Sequence, residues 1–361
     1  MSQTNDIDWL IPIKSNIINF MNQLNEDGFY HYSLTGDICS INKKWGLGNA
    51  VFAAKIYYML DALTPQIAKP IIQFIKSFQN SKGYFFDPEV QRRSLIRRMY
   101  HSIKEKNTNN LFNEQTRRAE TRQSFAALQC LGSIPNIPFL YIPYSKKNIY
   151  RYIHQLNWKH PWGAGSHISH LLFFLKQNNK LFNIHMDKTN ELIQFVLDQV
   201  KTYQQKDGSW YDASVNMPFY QKVNSAMKMM TAFEAAEIDD FDRKHELIDL
   251  CLSAINDGHA CNHFNVICVL YHCCLKTDYR KIEIYEYCLN QLRQYKQYYW
   301  PAYGGFSFFK GKANHNYYNA IISKGLPEPD IHGTVLFLWG ISLISRIIGI
   351  ENIISLRIPF T

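Results

Sequence analysis

A glycine-centred turn that recurs about every 50 residues, always between two helical patterns, restricts the fold of this chain more than any other feature. Gly28, Gly83, Gly163, Gly208, Gly258 and Gly305 mark the turns, in stretches such as Asn25-Glu26-Asp27-Gly28-Phe29-Tyr30 and Gln205-Lys206-Asp207-Gly208-Ser209-Trp210. Before the turns run half-polar patterns of period 3.6, over about Lys14–Leu24, Gln66–Phe78, Lys147–Leu156, Glu191–Tyr203, Lys244–Ala254 and Lys281–Gln297. After them come more apolar helices, expected to start near Trp45, Glu120, His167, Val223, Asn262 and His332. Leu171-Leu172-Phe173-Phe174-Leu175 and Val335-Leu336-Phe337-Leu338-Trp339 are apolar nearly all round, as in helices buried on every side. About six half-buried and six buried helices close most economically as two concentric barrels. The sequence therefore predicts one all-α domain over residues 1–361, an α/α toroid. Glu89 to Arg118 and Lys310 to Pro329 break the period and read as insertions.

Composition agrees with a large core. Apolar residues make up 46% and charged residues 19%, which excludes a disordered chain. The net charge of +9 favours anionic partners. The densest basic cluster, Gln91-Arg92-Arg93-Ser94-Leu95-Ile96-Arg97-Arg98, reads as a solvated helix face. No nucleic-acid motif accompanies it, so no specific nucleic-acid partner is expected. The 8 cysteines form no Cys-x-x-Cys pair and lie mostly among apolar residues, so they read as reduced thiols of a cytoplasmic protein. Met1 to Asp8 has no basic n-region and no apolar h-region, so no signal peptide is expected. The best apolar run, Val335 to Ile344, is too short for a transmembrane segment.

Gln205, Gly208 and Trp210 match Gln-x-x-Gly-x-Trp, the core of the QW repeat, and the chain here resembles the squalene and hopene cyclases. The plan of outer helix, turn and inner helix is similar to the α/α toroid of terpenoid cyclases and protein prenyltransferases. The motif is well formed at Gly208 and degenerate at the other turns. The same toroid hosts unrelated chemistries, so the likeness bears on fold more than on reaction.

If all inner helices run the same way, their N-termini gather at one end, where unpaired N–H groups and helix dipoles favour an anion. The side chains there are polar for buried helices: Asn49, Glu120 with Arg122 and Gln123, His167, Asn224, His263, and Asp330 with His332. Each alone reads as a cap or as a partner for a buried carbonyl. Together they are expected to line one pocket. Glu120, Arg122, His167, His263, Asp330 and His332 are its catalytic candidates, and Asn49, Gln123, Asn224, Arg117 and Arg118 its substrate-binding ones. Glu120 and Asp330 are the acids that burial could turn into general acids or bases.

Packed helices lie about 8–10 Å apart, whereas zinc takes its ligands at about 2.0–2.3 Å. Helices close in the ring could share a metal, and distant ones could not. Protein prenyltransferases bind zinc with an Asp and a Cys at one inner-helix start and a His at a following one. Asp330-Ile331-His332-Gly333-Thr334 resembles the stretch that carries their His, which implies a zinc site of Asp257, Cys261 and His332. The spacing departs from the family's, with three residues between Asp257 and Cys261 instead of one, and His259 or His263 could substitute. The Asp-x-Asp-Asp run of alkene-protonating cyclases is missing, because Asp239-Asp240-Phe241-Asp242 lies between helices and reads as a cap.

These features leave three readings. An isoprenoid-handling enzyme, a prenyltransferase or terpenoid cyclase, would take a small anionic or isoprenoid-type substrate. A glycan-processing toroid, a lyase, epimerase or hydrolase, would stack sugars on Trp and Tyr. A toroid without catalysis would bind a partner through its basic rim.

Overall fold

The structure, a computed structural model, describes residues 7–39, 43–104, 115–255 and 258–361. It is mostly helical. In chain order the helices are α1 (Ile13–Leu24), α2 (Leu47–Met59), α3 (Pro65–Ser77), α4 (Pro88–Lys104), α5 (Gln115–Cys130), α6 (Lys146–His154), α7 (Pro161–Phe182), α8 (Thr189–Lys201), α9 (Phe219–Ala235), α10 (Lys244–Leu252), α11 (Ala260–Cys274), α12 (Lys281–Lys296) and α13 (Ile331–Ile348). The strands form three two-residue hairpins: β1 (Asn25–Glu26) with β2 (Phe29–Tyr30), β3 (Tyr299–Trp300) with β4 (Gly305–Phe306), and β5 (Asn316–Tyr317) with β6 (Ala320–Ile321). Two compact units result. The first holds residues 1–136, 258–261 and 289–360, and the second holds residues 137–257, 262–288 and 361.

In the first unit α2 packs against α3, α5 and α13, and α4 packs against β6. Helix α13 is the one described helix long and apolar enough to cross a membrane, but 78% of its apolar window is buried inside the chain, as in a core helix. It runs past the apolar stretch at both ends, from the Asp330 cap to Gly349, whose φ of 71° stops it. In the second unit α7 packs against α8 and α9, and α6 against α8. Gly165 lies against Lys228, and the Ser169 and Thr231 hydroxyls bond at 3.1 Å, so small and polar residues let α7 and α9 approach closely.

The half-polar helices fall where the 3.6-residue period puts them. Of the more apolar ones, α2 starts two residues later than expected and the other five start earlier, because capping chemistry and not hydropathy sets a helix start. Pro161 occupies the first turn of α7, where its missing N–H costs nothing, so the helix begins ahead of His167. Gly163 therefore lies inside α7 and is not a turn glycine. At the last turn the left-handed residue is Gly304 (φ 85°) and not Gly305. A Cβ on Gly304 would lie 2.1 Å from the Asn16 carbonyl oxygen, so sterics as well as φ demand glycine there. The stretch read as an insertion from Glu89 to Arg118 contains α4.

A shared device locks the turns to the helices that follow. Gly28, Gly83, Gly208 and Gly304 take positive φ, and the residue two places on is aromatic: Tyr30, Phe85, Trp210 or Phe306. A side chain in the first turns of the next buried helix then holds that aromatic residue's backbone. Asn49 Nδ2 donates to the Tyr30 carbonyl (2.8 Å). The Thr121 hydroxyl accepts from Phe85 N–H (3.0 Å) and lies 3.1 Å from its carbonyl. Ser225 accepts from Trp210 N–H (3.2 Å) and donates to the Trp210 carbonyl. Thr334 accepts from Phe306 N–H (3.0 Å) and lies 3.2 Å from its carbonyl. Thr334→Val keeps the shape but strands a buried N–H. It should cost about 1–3 kcal/mol in urea unfolding, while Thr334→Ser should cost less. Equal losses would place the stabilisation in the methyl group.

Candidate functional site

The first unit assembles a site around the start of α13. Asp330 caps that helix: Oδ1 accepts Gly333 N–H (2.7 Å), while Oδ2 accepts Phe308 N–H (2.8 Å) and Asn314 N–H (3.0 Å). One carboxylate thus ties the loop after β4 to the helix. Gly333 permits the closeness, since a Cβ there would meet Phe308 N at 2.4 Å. From the other side, Ile331 N–H donates to the Tyr32 carbonyl (3.0 Å), and Asp37 accepts Tyr32 N–H (2.9 Å).

These ties bring Tyr32, Asn314 and His332 together. Asn314 Nδ2 donates to the Tyr32 hydroxyl oxygen (3.1 Å), and that hydroxyl lies 3.1 Å from His332 Nδ1. The amide orientation is fixed, because Asn314 Nδ2 also donates to the Asn316 carbonyl and Oδ1 accepts Asn316 N–H. With its oxygen accepting from Asn314, Tyr32 still has its own proton to give to Nδ1, the arrangement in which that ring nitrogen is the acceptor. The His332 proton then sits on Nε2, which makes no hydrogen bond to the described residues. Burial drives the His332 imidazole down to about 3, with His259 adding a smaller push, so the ring is neutral at physiological pH. The residue is nevertheless half-buried and not fully buried. The side chain is thus crowded by its neighbours and still touched by solvent.

Rings crowd around His332. Phe52 lies nearly parallel to His332 (4.8 Å, 10°), and Phe308 lies at the same distance. His259 stacks on Phe308 (5.0 Å, 18°). Burial lowers the His259 pKa also, and its Nδ1 has no hydrogen-bond partner among the described residues. Tyr317 meets both Phe52 and His332 edge-on and touches Tyr318 (4.5 Å). Tyr318 has φ 44°, a left-handed conformation costing a bulky residue about 1–3 kcal/mol. Burial and the nearby Glu120 carboxyl raise the Tyr318 hydroxyl above its ordinary range, against a smaller pull from Arg122.

Glu120 is buried, and burial together with the Asp87 charge holds its pKa well above the carboxylate range. It accepts from Gln91 Nε2 (3.2 Å) and, at longer range, from Asp87 N–H. Asp87 spends its own carboxylate on the N–H groups of Gly46, Leu47, Glu89 and Val90. Arg117 lies over the Phe86 ring (4.7 Å). Gln123 accepts from Lys55 Nζ (2.7 Å), and this buried lysine also sits over the Trp339 ring (4.9 Å).

The expected residues are thus divided. The first unit holds Asn49, Arg117, Arg118, Glu120, Arg122, Gln123, Cys261, Asp330 and His332. The second holds His167, Asn224 and His263. There His167 Nδ1 bonds the Tyr152 hydroxyl (2.7 Å), Asn224 accepts from Asn265 (2.6 Å), and His263 is fully buried in α11. Asp257 lies outside the described residues. Cys261 is a half-buried free thiol in the same unit as His332. Among the described residues no three His, Cys, Asp or Glu side chains are grouped as a metal requires, and Asp257 of the expected zinc set is not among those residues. Tyr32, Phe52, Phe308 and Asn314 carry no mark in the sequence that would have singled them out.

The chain matches no protein-family model, no curated protein and no solved structure. The residues themselves carry the functional argument.

Neutral His332 has a consequence for stability. Its folded pKa lies below the unfolded value of 6.5, so the stability it contributes is present above pH 6.5 and is lost as pH falls toward 3. Between pH 7 and pH 5 the wild type should lose about 2 kcal/mol relative to His332→Gln, by the linkage of about 1.4 kcal/mol per pH unit. Urea unfolding at both pH values measures the difference. A constant difference would mean that His332 is solvated and ordinary.

Proposed function

We propose that the chain is an isoprenoid-handling enzyme, a prenyltransferase or terpenoid cyclase, on an α/α toroid plan like that of the terpenoid cyclases. The recurring lock between turn and helix supports the repeat plan. The observation that carries the functional reading is the cluster of aromatic rings around uncharged His332. Aromatic faces pack an apolar polyene and stabilise positive charge that develops on it. His332 Nε2–H donates to an oxygen at the head of the ligand, and Tyr32 and Asn314 fix the tautomer that makes this possible. Arg122, near Tyr318, supplies the positive charge an anionic head needs. Glu120, kept protonated by burial, is the candidate general acid. The eight reduced thiols fit a cytoplasmic enzyme.

Thermal-shift and equilibrium-binding measurements with farnesyl diphosphate, geranylgeraniol and a panel of neutral and acidic oligosaccharides test the reading. The wild type should bind the isoprenoids, and His332→Phe, which keeps a ring and removes the donor, should bind them at least tenfold more weakly. Stabilisation by an oligosaccharide with no response to either isoprenoid would move the site to glycan chemistry, where a neutral His–Tyr pair serves proton transfer.

A further inference from the structure

Helix α4 is amphipathic the wrong way round for a soluble protein. Beyond the buried Val90 of its first turn, its inward side is polar: Gln91, Ser94 and Ser102 are buried, and Arg98 donates to the Gln91 carbonyl (3.1 Å). Its outward side is apolar: Leu95, Ile96, Met99 and Ile103 are all exposed, Ile96 by 78% and Ile103 by 77%. At 100° per residue these side chains fall within one arc of about 80–100°. They form a continuous stripe and not scattered exceptions. A contiguous exposed apolar stripe marks a surface that something covers.

Charge selects what covers it. Arg92 and Arg93 stand at the N-terminal end of the stripe and share the single carboxylate of Glu89, to which each is bonded. Two guanidiniums on one carboxylate leave net positive charge beside the apolar side chains, in a chain of net charge +9. A helix with low overall hydropathy, an apolar stripe and cationic side chains has the composition of one that lies in the interface of an anionic bilayer, its stripe among the acyl chains and its arginines among the headgroups. A second copy of the chain would bring the same positive charge against itself. Helix α4 also packs on β6, the strand of the hairpin whose Tyr317 meets the His332 ring.

We infer that α4 is a membrane-surface helix that docks the chain on an anionic lipid bilayer. The inference rests on the exposure and charge of α4 and holds whatever the His332 site binds.

Flotation of the full chain with phosphatidylcholine vesicles, with and without 30% phosphatidylglycerol, tests it. The wild type should float with the anionic vesicles and lose at least tenfold in affinity on the neutral ones. It should also weaken as salt is raised from about 50 to 500 mM, as screening demands. Ile96→Asp/Ile103→Asp should lose at least tenfold on anionic vesicles with an unchanged melting temperature, because both side chains are already in water. Arg92→Gln/Arg93→Gln should lose the preference for anionic lipid and keep residual binding. No flotation of the wild type, or equal flotation of the aspartate variant, overturns the inference. So does a dimer in light scattering that the aspartate variant dissolves, since the stripe would then be a protein interface.

Discussion

Trp210→Ala should cost the chain about 3–5 kcal/mol, as for the loss of a large buried aromatic. The indole is only 2% exposed and meets the Phe233 ring edge-on at 5.8 Å and 76°. Its backbone is held on both sides: Ser225 bonds its N–H and carbonyl, and Gln204 bridges to it across the turn. Gly208 cannot relax to fill the hole. Its φ is 82°, and any side chain there would strike Leu247 and the Arg243 carbonyl. With the backbone pinned, the space left by the indole stays empty, which is the condition for the upper part of that range. Trp210→Phe keeps ring area and should lose less than half as much. Urea unfolding followed by far-UV circular dichroism gives both values. A loss under about 1 kcal/mol for the alanine variant, the usual size of a surface change, would show the turn to be peripheral.

The turn glycines and the half-polar helices were legible for one reason. Both are local, and a left-handed turn residue or a 3.6-residue stripe leaves its trace within a dozen positions. Gly163 misled because Pro161 two places earlier outranks it as a signal, starting a helix where a turn was expected. The apolar stripe of α4 was hidden among its arginines: the cluster read as a solvated face, which Arg92 is, but Leu95, Ile96 and Met99 face water beside it. At the candidate site the helix-start histidine and its cap, Asp330 and His332, could be picked out because capping is also local. Their partners could not. Tyr32 and Asn314 meet His332 through the tie between Ile331 and the Tyr32 carbonyl and through the reach of Asp330 to Asn314, contacts between segments remote in sequence. Part of the polarity at the helix starts is spent locally. Asn49 is taken by Tyr30, Asn224 by Asn265, and the Asp330 carboxylate by three backbone N–H groups.

Asp330→Ala should be more damaging than its position outside the ring cluster implies, with a loss of about 3–6 kcal/mol. It leaves the N–H groups of Gly333, Phe308 and Asn314 without their acceptor, at about 1–3 kcal/mol for each that stays buried. The same three bonds set the site: Phe308 carries the ring against His332, and Asn314 the amide that orients Tyr32. Asp330 is therefore a positioning residue. Its removal should free the His332 tautomer, which the 15N shifts of the imidazole report: Nε2–H in the wild type and a mixture in the variant. The pH dependence separates this carboxyl from an ordinary cap. Burial outweighs the N–H donors and raises Asp330 to about 7, so the folded chain holds its proton more tightly than the unfolded chain does. The stability this preference adds is complete below the ordinary carboxyl value and is lost as pH rises through 7. The deficit of Asp330→Ala should therefore be about 2–3 kcal/mol larger at pH 5 than at pH 7.5, by the same linkage. A carboxyl held below its ordinary value by its N–H donors would give no change over that range, and that result would show that the donors, and not burial, govern Asp330.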